Sequence, residues 1–241
     1  MAQAEFNWSE LDQDSLYSYF YSLSNQIVGK LLTPEKIQKL ISRHVKAWLP
    51  IKVVSTTTFE NRKGYIFMGG CYHSDYDKLS RIAIELNLHY HPRDFVLKIT
   101  THRWRKMSQR FAHIIMHELI HMRQFRSRNF KNIPGYQSTA AAKEEKKNQT
   151  YYGDRDEMGA FSYNIACEMI EKFDYNPANI KKYLDSNAVK RQPNLWWYSY
   201  LNSFNWDHNH IIIRRMKKKI LRQLDNAYIG KPFKTTNYLT Y

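Results

Sequence analysis

Apolar residues near the start of the chain recur every three or four positions, which is the period of an amphipathic helix. Residues 16–27 show this spacing, with Leu, Phe, Leu and Ile on one face. A second helix is predicted to begin at Thr33 and Pro34, because Thr is a good cap and Pro suits the first turn. Pro50 ends it. Its predicted apolar stripe comprises Ile37, Leu40, Ile41, Val45 and Trp48.

From residue 51 the pattern changes to one typical of strands. Residues 51–59 are rich in β-branched side chains, residues 64–72 form another short apolar run, and residues 81–90 alternate between apolar and polar. A turn at 91–94 predicts that residues 95–100 return as the partner strand of a hairpin. Two adjacent glycines, at 69 and 70, are expected to mark a bulge or a close approach of another backbone.

The next helix is predicted from about residue 101 to beyond residue 123, and it carries the most specific pattern in the chain. His117, Glu118 and His121 form H-E-x-x-H within apolar residues. Histidines four apart lie on one face of a helix, so both imidazoles can reach a single ion. Glu118 is placed to accept a proton from a water on that ion rather than to bind the ion itself. The pattern therefore indicates zinc and hydrolytic chemistry.

The alternative is a buried helix with two hydrogen-bonded histidines and an exposed Glu118. Burying these polar groups without partners is unfavourable, and a metal ion removes that penalty. His113 lies one turn before His117. Three histidines in a row on a straight helix drift away from one centre, so His113 is expected to line the pocket or to support a ligand.

A third ligand is needed, because catalytic zinc normally has three protein ligands and one open position. The extended motif with a third histidine is excluded, since Gln124 and Ser127 occupy its last two positions. We predict Glu157, in the first turn of an amphipathic helix capped by Asp154; Asp154 and Asp156 are the rival ligands. Alternatively, Glu157 serves only the helix dipole.

The rest of the C-terminal part is predicted from composition and spacing. Residues 129–150 are expected to be a loop, with a lid over a cleft as one role, and residues 178–205 to be helical and aromatic. His208 and His210 lie in an Asp-His-Asn-His run that could bind a metal. A basic amphipathic helix over 211–224 is predicted to end at residues 230–232, Gly-Lys-Pro. Its cations are Arg214, Arg215, Lys217, Lys218, Lys219 and Arg222.

The formal net charge of +15 favours acidic partners, such as nucleic acid, an anionic surface or an acidic protein, although solubility alone would also explain it. No apolar run approaches a membrane span, and residues 1–10 lack the core of a signal peptide. Two cysteines are too few for a disulfide scaffold. These features predict a cytoplasmic protein without membrane contact.

The H-E-L-I-H stretch and the later Glu157-x-x-Ala160 together resemble the gluzincin branch of the zincin metallopeptidases, over about residues 33–172. The resemblance implies an α+β, zincin-like fold. Residues 1–128 would hold a small antiparallel or mixed sheet packed on the active-site helix, and residues 129–241 a mostly helical part of the same catalytic unit. The edge strand of such a sheet binds extended peptide in that family.

The implied activity is zinc-dependent peptide hydrolysis, in which His117, His121 and Glu157 bind Zn²⁺ and Glu118 is the general base. The chain resembles small phage-encoded metallopeptidases in particular, which implies the host cytoplasm or the virion as its location. Gluzincins often carry Asp or Asn four residues after the ligand Glu, where this chain has Phe161, with Asn164 as a substitute. Candidates for stabilising the oxyanion are Tyr151, Tyr163 and His208.

A different class of function competes with this one. The chain could be a basic protein that binds nucleic acid or belongs to a phage particle, with a structural or vestigial zinc site. Salt-sensitive binding of nucleic acid without peptidase activity would favour that alternative.

Overall fold

The computed structural model describes residues 11–174 and 176–230, with side chains as far as residue 225. The chain divides into two compact units, Met1–Lys131 and Asn132–Tyr241. The first combines helices with small sheets and the described part of the second is helical, so the fold is of mixed α and β class, as predicted.

Five helices and five strands are described in the first unit. The helices are α1 (Gln13–Tyr21), α2 (Ser24–Ile27), α3 (Pro34–Lys46), α4 (Ser74–Lys78) and α5 (Thr101–Ser127). The strands are β1 (Leu31–Leu32), β2 (Ile51–Thr57), β3 (Phe67–Tyr72), β4 (Ile84–Tyr90) and β5 (Leu97–Lys98).

The larger sheet is three-stranded, in the order β2-β4-β3, and it is mixed. Strand β2 pairs parallel to β4, and β3 pairs antiparallel to it. Alternation along β4 places every second side chain in the core. Ile84, Leu86, Leu88 and Tyr90 are each at most 1% exposed. Helix α5 packs against β3 and β4 of this sheet.

The predicted hairpin between residues 81–90 and 95–100 is wrong. Strand β5 pairs antiparallel with β1, where Leu97 lies opposite Leu32. Both leucines are 5% exposed, whereas Phe95 and Val96, which also suggested a strand, are 78% and 52% exposed. The pairing of β3 with β4 is continuous, and the glycines at 69 and 70 therefore form no bulge.

Helix α5 begins where it was predicted, because the Thr100 hydroxyl accepts a hydrogen bond from the backbone N–H of Arg103. Most of its apolar side chains are buried, and the ring of Phe111 contacts that of Phe20 from α1 at 4.8 Å between centroids. The apolar positions predicted over 16–27 are also buried, although the helix is interrupted between α1 and α2. Trp48 is 39% exposed, so the stripe of α3 ends before it.

Five α-helices and one 3-10 turn are described in the second unit. They are α6 (Lys143–Gly153), α7 (Arg155–Phe173), α8 (Pro177–Leu184), the 3-10 turn Ala188–Arg191, α9 (Trp196–Ser203) and α10 (Ile211–Gly230). The core of this unit forms where α7, α9 and α10 bury Met169, Trp197 and Met216, each fully.

Residues 143–150 are helical rather than a loop. Lys and Glu are good helix formers, and Glu144 and Glu145 lie in the first turn of α6, where negative charge is favourable. Helix α10 is described to Gly230, and the predicted stop at residues 231 and 232 lies outside the described residues. Within the described part of the chain, no helix combines the length and apolar character that crossing a membrane requires.

Candidate metal centre

The two histidines of the H-E-x-x-H pattern lie on one buried face of α5. His117 and His121 are 7% and 8% exposed, and Glu118 is 7% exposed. The Nε2 atoms of His117 and His121 are 3.1 Å apart. Two imidazole nitrogens bound to one tetrahedral zinc ion are roughly 3.3 Å apart, so this spacing fits a shared ion.

Gln124 orients the second histidine. Its side-chain oxygen lies 3.0 Å from Nδ1 of His121, and because an amide oxygen only accepts, Nδ1 carries the proton. The lone pair of Nε2 then points toward His117, which is the tautomer that a metal ligand needs. Sequence reasoning considered Gln124 only as a departure from the extended motif. Its position one turn after His121 was the available signal.

Glu157 lies in the first turn of α7, and Asp154 caps that helix as predicted. One carboxylate oxygen of Asp154 accepts from the N–H groups of residues 156 and 157, at 2.8 and 3.3 Å. Ligand atoms of His117, His121 and Glu157 all lie within 4.8 Å of one another, and this group could hold a metal ion. It is the one such group among the residues that the structure describes, and it includes neither Asp154 nor Asp156.

The donor set of this group is two imidazole nitrogens and one carboxylate oxygen. Zinc hydrolases use this set with a fourth position left open. Non-haem Fe(II) enzymes use it as well, so the donors fit zinc without identifying the ion.

His113 is not part of this group. Its Nε2 lies 2.8 Å from the side-chain nitrogen of Gln13 on α1, and its side chain is 6% exposed. This contact joins α1 to α5 and is consistent with the expectation that His113 does not bind the ion.

An aromatic cluster surrounds position 161, four residues after Glu157. The ring of Phe161 packs against Tyr152, Trp196 and Tyr200, with centroids 4.9 to 5.6 Å apart. Burial raises the pKa of Tyr200 well above its ordinary value, and the charge of Glu157 adds to the effect. Phe161 therefore fills space instead of orienting a ligand.

The other predicted supporting residues differ in exposure. Asn164 is 2% exposed on α7, seven residues after Glu157 and thus near the same helix face. Tyr151 is 46% exposed, and Tyr163 is partly buried. Asn164, Tyr151 and Tyr163 therefore stay candidates for supporting the ligands or stabilising the oxyanion.

The Asp-His-Asn-His run forms local contacts. Nε2 of His208 lies 3.2 Å from Oδ1 of Asn187, and the Nζ of Lys217 lies 3.1 Å from His208 Nδ1. Burial, and then the charge of Lys217, lower the pKa of His208. Within the described part of the chain, residues 207–210 contribute to no metal-ligating group.

The predicted basic patch divides into two sets. Arg214, Arg215, Lys218 and Arg222 are exposed along α10. Lys217 instead donates to Asp185 at 2.7 Å. Lys219 is partly buried, and burial lowers its pKa, with Arg155 adding to the effect. The exposed set is therefore the part of the patch available to a partner.

Comparisons with models of protein families, with curated proteins and with solved structures gave no match.

Proposed function

We propose that the protein is a zinc-dependent metallopeptidase in which His117, His121 and Glu157 hold the metal. One observation carries the proposal: two histidines on α5 and a glutamate 36 residues later on α7 have ligand atoms within 4.8 Å of one another. The hydrogen bond from His121 to Gln124 supports it, because it leaves the facing nitrogen unprotonated.

Zinc supplies Lewis acidity when it is bound, which lowers the pKa of a water towards neutrality and polarises a carbonyl group. Glu118 is the general base of the proposal. Its carboxylate accepts the proton of the attacking water and then donates it to the leaving amine of the cleaved peptide bond. Burial of Glu118 and both histidines keeps bulk water away from the proton transfer.

Zinc is favoured over Fe(II) because Glu118 directly follows His117 and is not one of the three proposed ligands, so its carboxylate can act as a base. Hydrolysis needs such a base beside the ligand pair, and H-E-x-x-H on a helix has that function in metallopeptidases. By the same resemblance, we propose a zincin-like arrangement in the first unit. Extended peptide would pair with β3, which is one of the two outer strands of the three-stranded sheet and the outer strand that packs against α5 in the described residues.

The test is hydrolysis of an unfolded protein such as reduced, alkylated casein by the purified, zinc-loaded chain. We expect cleavage that a chelator stops and that added zinc restores. Cleavage that persists in Glu118→Gln at the wild-type rate would contradict the proposed mechanism, since the general base would be elsewhere.

A second candidate function is the binding of nucleic acid along α10. Arg214, Lys218 and Arg222 are spaced four residues apart and are all exposed, so they form a continuous basic stripe. The stripe is about 12 Å long at 1.5 Å per residue, which is long enough to contact more than one phosphate of a strand.

Binding of a labelled 30-base-pair duplex at several salt concentrations tests this candidate. Replacing the three stripe residues with Gln should weaken binding and reduce the salt slope by roughly 0.9 for each phosphate that the stripe no longer neutralises. The matched control removes three exposed lysines from α6: Lys143, Lys146 and Lys147. Equal effects of the two triple variants would show attraction by net charge alone and would contradict a defined interface.

A further inference from the structure

Strand β3 presents a glycine toward α5. In the antiparallel pairing with β4, Gly70 lies opposite Leu86 and Gly69 lies opposite Asn87. Residues directly opposite each other share a face of the sheet. Leu86 is fully buried on the face that packs against α5, so Gly70 faces the helix and Gly69 faces away from it.

The space beside Gly70 is already occupied by two side chains of α5. A Cβ atom at this position would lie 2.5 Å from Cγ2 of Ile114 and 2.7 Å from Oε1 of Glu118. It would also lie 3.0 Å from Cγ of Glu118. A Cβ at Gly69 would have no atom within 4 Å. The absence of a side chain is therefore required at 70 and not at 69.

Backbone conformation does not explain the glycine. Positive φ angles occur at Gly29 and Gly64, and neither Gly69 nor Gly70 is among the residues with positive φ. An L-residue can thus adopt the strand conformation at either position. What distinguishes Gly70 is its close approach to the carboxylate of Glu118.

We infer that Gly70 is a positioning residue for Glu118, an inference that rests on the proposed role of Glu118 as general base. Without a side chain at 70, the Glu118 carboxylate can lie directly against β3. Ile114 and Glu118 are the two side chains that an added methyl group would displace. The carboxylate of Glu118 is the free end of a flexible side chain, so we expect it to move away from the position that it occupies in the native chain.

The consequence is a specific loss of catalysis. A displacement of about 1 Å in a reacting group can reduce turnover about 100-fold. We expect Gly70→Ala to lower kcat by about that factor, with KM and zinc content close to those of the wild type. Gly69→Ala, which adds the same methyl group to the opposite face, should leave the zinc content and the position of the Glu118 carboxylate unchanged.

Ile114 needs its own control, because its Cγ2 atom is also too close to a Cβ at position 70. Replacing Ile114 with Ala removes that atom and leaves the approach of Glu118 unchanged. Gly70→Ala should therefore lower kcat by about the same factor in the Ile114→Ala background as it does in the wild-type background. Full recovery in the double variant would overturn the inference, since the loss would then come from packing against Ile114.

Crystal structures of Gly70→Ala and Gly69→Ala provide a measurement that does not depend on activity. We expect the Glu118 carboxylate to move by about 1 Å or more only in Gly70→Ala. An unmoved carboxylate in a folded Gly70→Ala variant would overturn the inference, whatever the activity. If the wild-type chain hydrolyses no peptide, the proposed function fails, and this comparison still decides whether Gly70 positions Glu118.

Discussion

Carboxylates are rarely buried in proteins unless a charge or a hydrogen bond compensates, and Glu118 is 7% exposed. It lies on α5 between two histidines that are equally buried. A divalent cation on those histidines would add a favourable interaction with the buried carboxylate.

Replacing Glu118 with Gln keeps the shape of the side chain and removes the proton acceptor. We expect kcat on a peptide substrate to fall about 100- to 10,000-fold, because that is the usual contribution of general acid–base catalysis. Zinc content should not change, since Glu118 is not among the grouped ligands. Loss of zinc from Glu118→Gln would instead indicate that Glu118 is itself a ligand.

Gln124 is expected to increase the affinity for zinc, although it is not one of the proposed ligands. Gln124→Leu removes the acceptor for Nδ1 of His121, and we expect zinc to bind about 10- to 100-fold more weakly in a competition titration with a chromogenic chelator. Gln124→Glu retains an acceptor and is the matched control. An affinity unchanged in both variants would show that this hydrogen bond does not tune the ligand.

The pattern H-E-x-x-H was sufficient to predict that His117 and His121 lie on one face of a helix, because their spacing of four residues determines this. Gln124 and Gly70 could not be assigned in the same way. Whether Gln124 turns toward His121 depends on its rotamer. The importance of Gly70 depends on how closely β3 and α5 approach, and no local pattern encodes that distance.

At the scale of single elements, the cap of α7 supports the helix that carries Glu157. Asp154→Ala leaves the N–H groups of residues 156 and 157 without their acceptor. We expect the free energy of unfolding, measured in urea, to fall by about 1 kcal/mol. Asp154→Ser retains a capping oxygen and should unfold close to the wild type.

The same pair of variants tests the rival ligand. If Asp154 only caps α7, Asp154→Ser binds zinc as tightly as the wild type. A strong loss of zinc from Asp154→Ser with normal stability would mean that Asp154 and not Glu157 completes the site.

Element type could be predicted where periodicity is strong, and pairing could not. Alternation over residues 81–90 predicted β4 because one of its faces is buried. The partner of residues 97–98 could not be predicted, since two-residue strands carry almost no register information. Helix α6 was missed because its mostly exposed, charged residues have no apolar stripe, although their helix propensity is high.

At the scale of the whole molecule, the charge of +15 is a property of the composition, but its effect depends on placement. Lys217 and Lys219 were predicted to be part of a basic surface, yet one is paired with Asp185 and the other is partly buried. Arg214, Lys218 and Arg222 remain exposed. Sequence alone could not separate these two sets, since the faces of α10 that are buried depend on its packing with α7.

Metal binding should also change the stability of the chain. Zinc that binds the folded chain and not the unfolded chain stabilises it by about 2.7 kcal/mol when free zinc is 100 times the dissociation constant. We therefore expect a higher Tm in the presence of zinc than in EDTA, measured by calorimetry. His117→Ala should show no such difference, and a zinc-dependent rise of equal size in that variant would place the metal elsewhere.

The most direct test of the account is the zinc content of the purified chain, measured by inductively coupled plasma mass spectrometry after exhaustive dialysis. We predict about one zinc per chain in the wild type and almost none in His117→Ala, His121→Ala and Glu157→Ala, because each removes one of three ligands. Zinc retained at the wild-type level in folded His117→Ala would contradict the central claim.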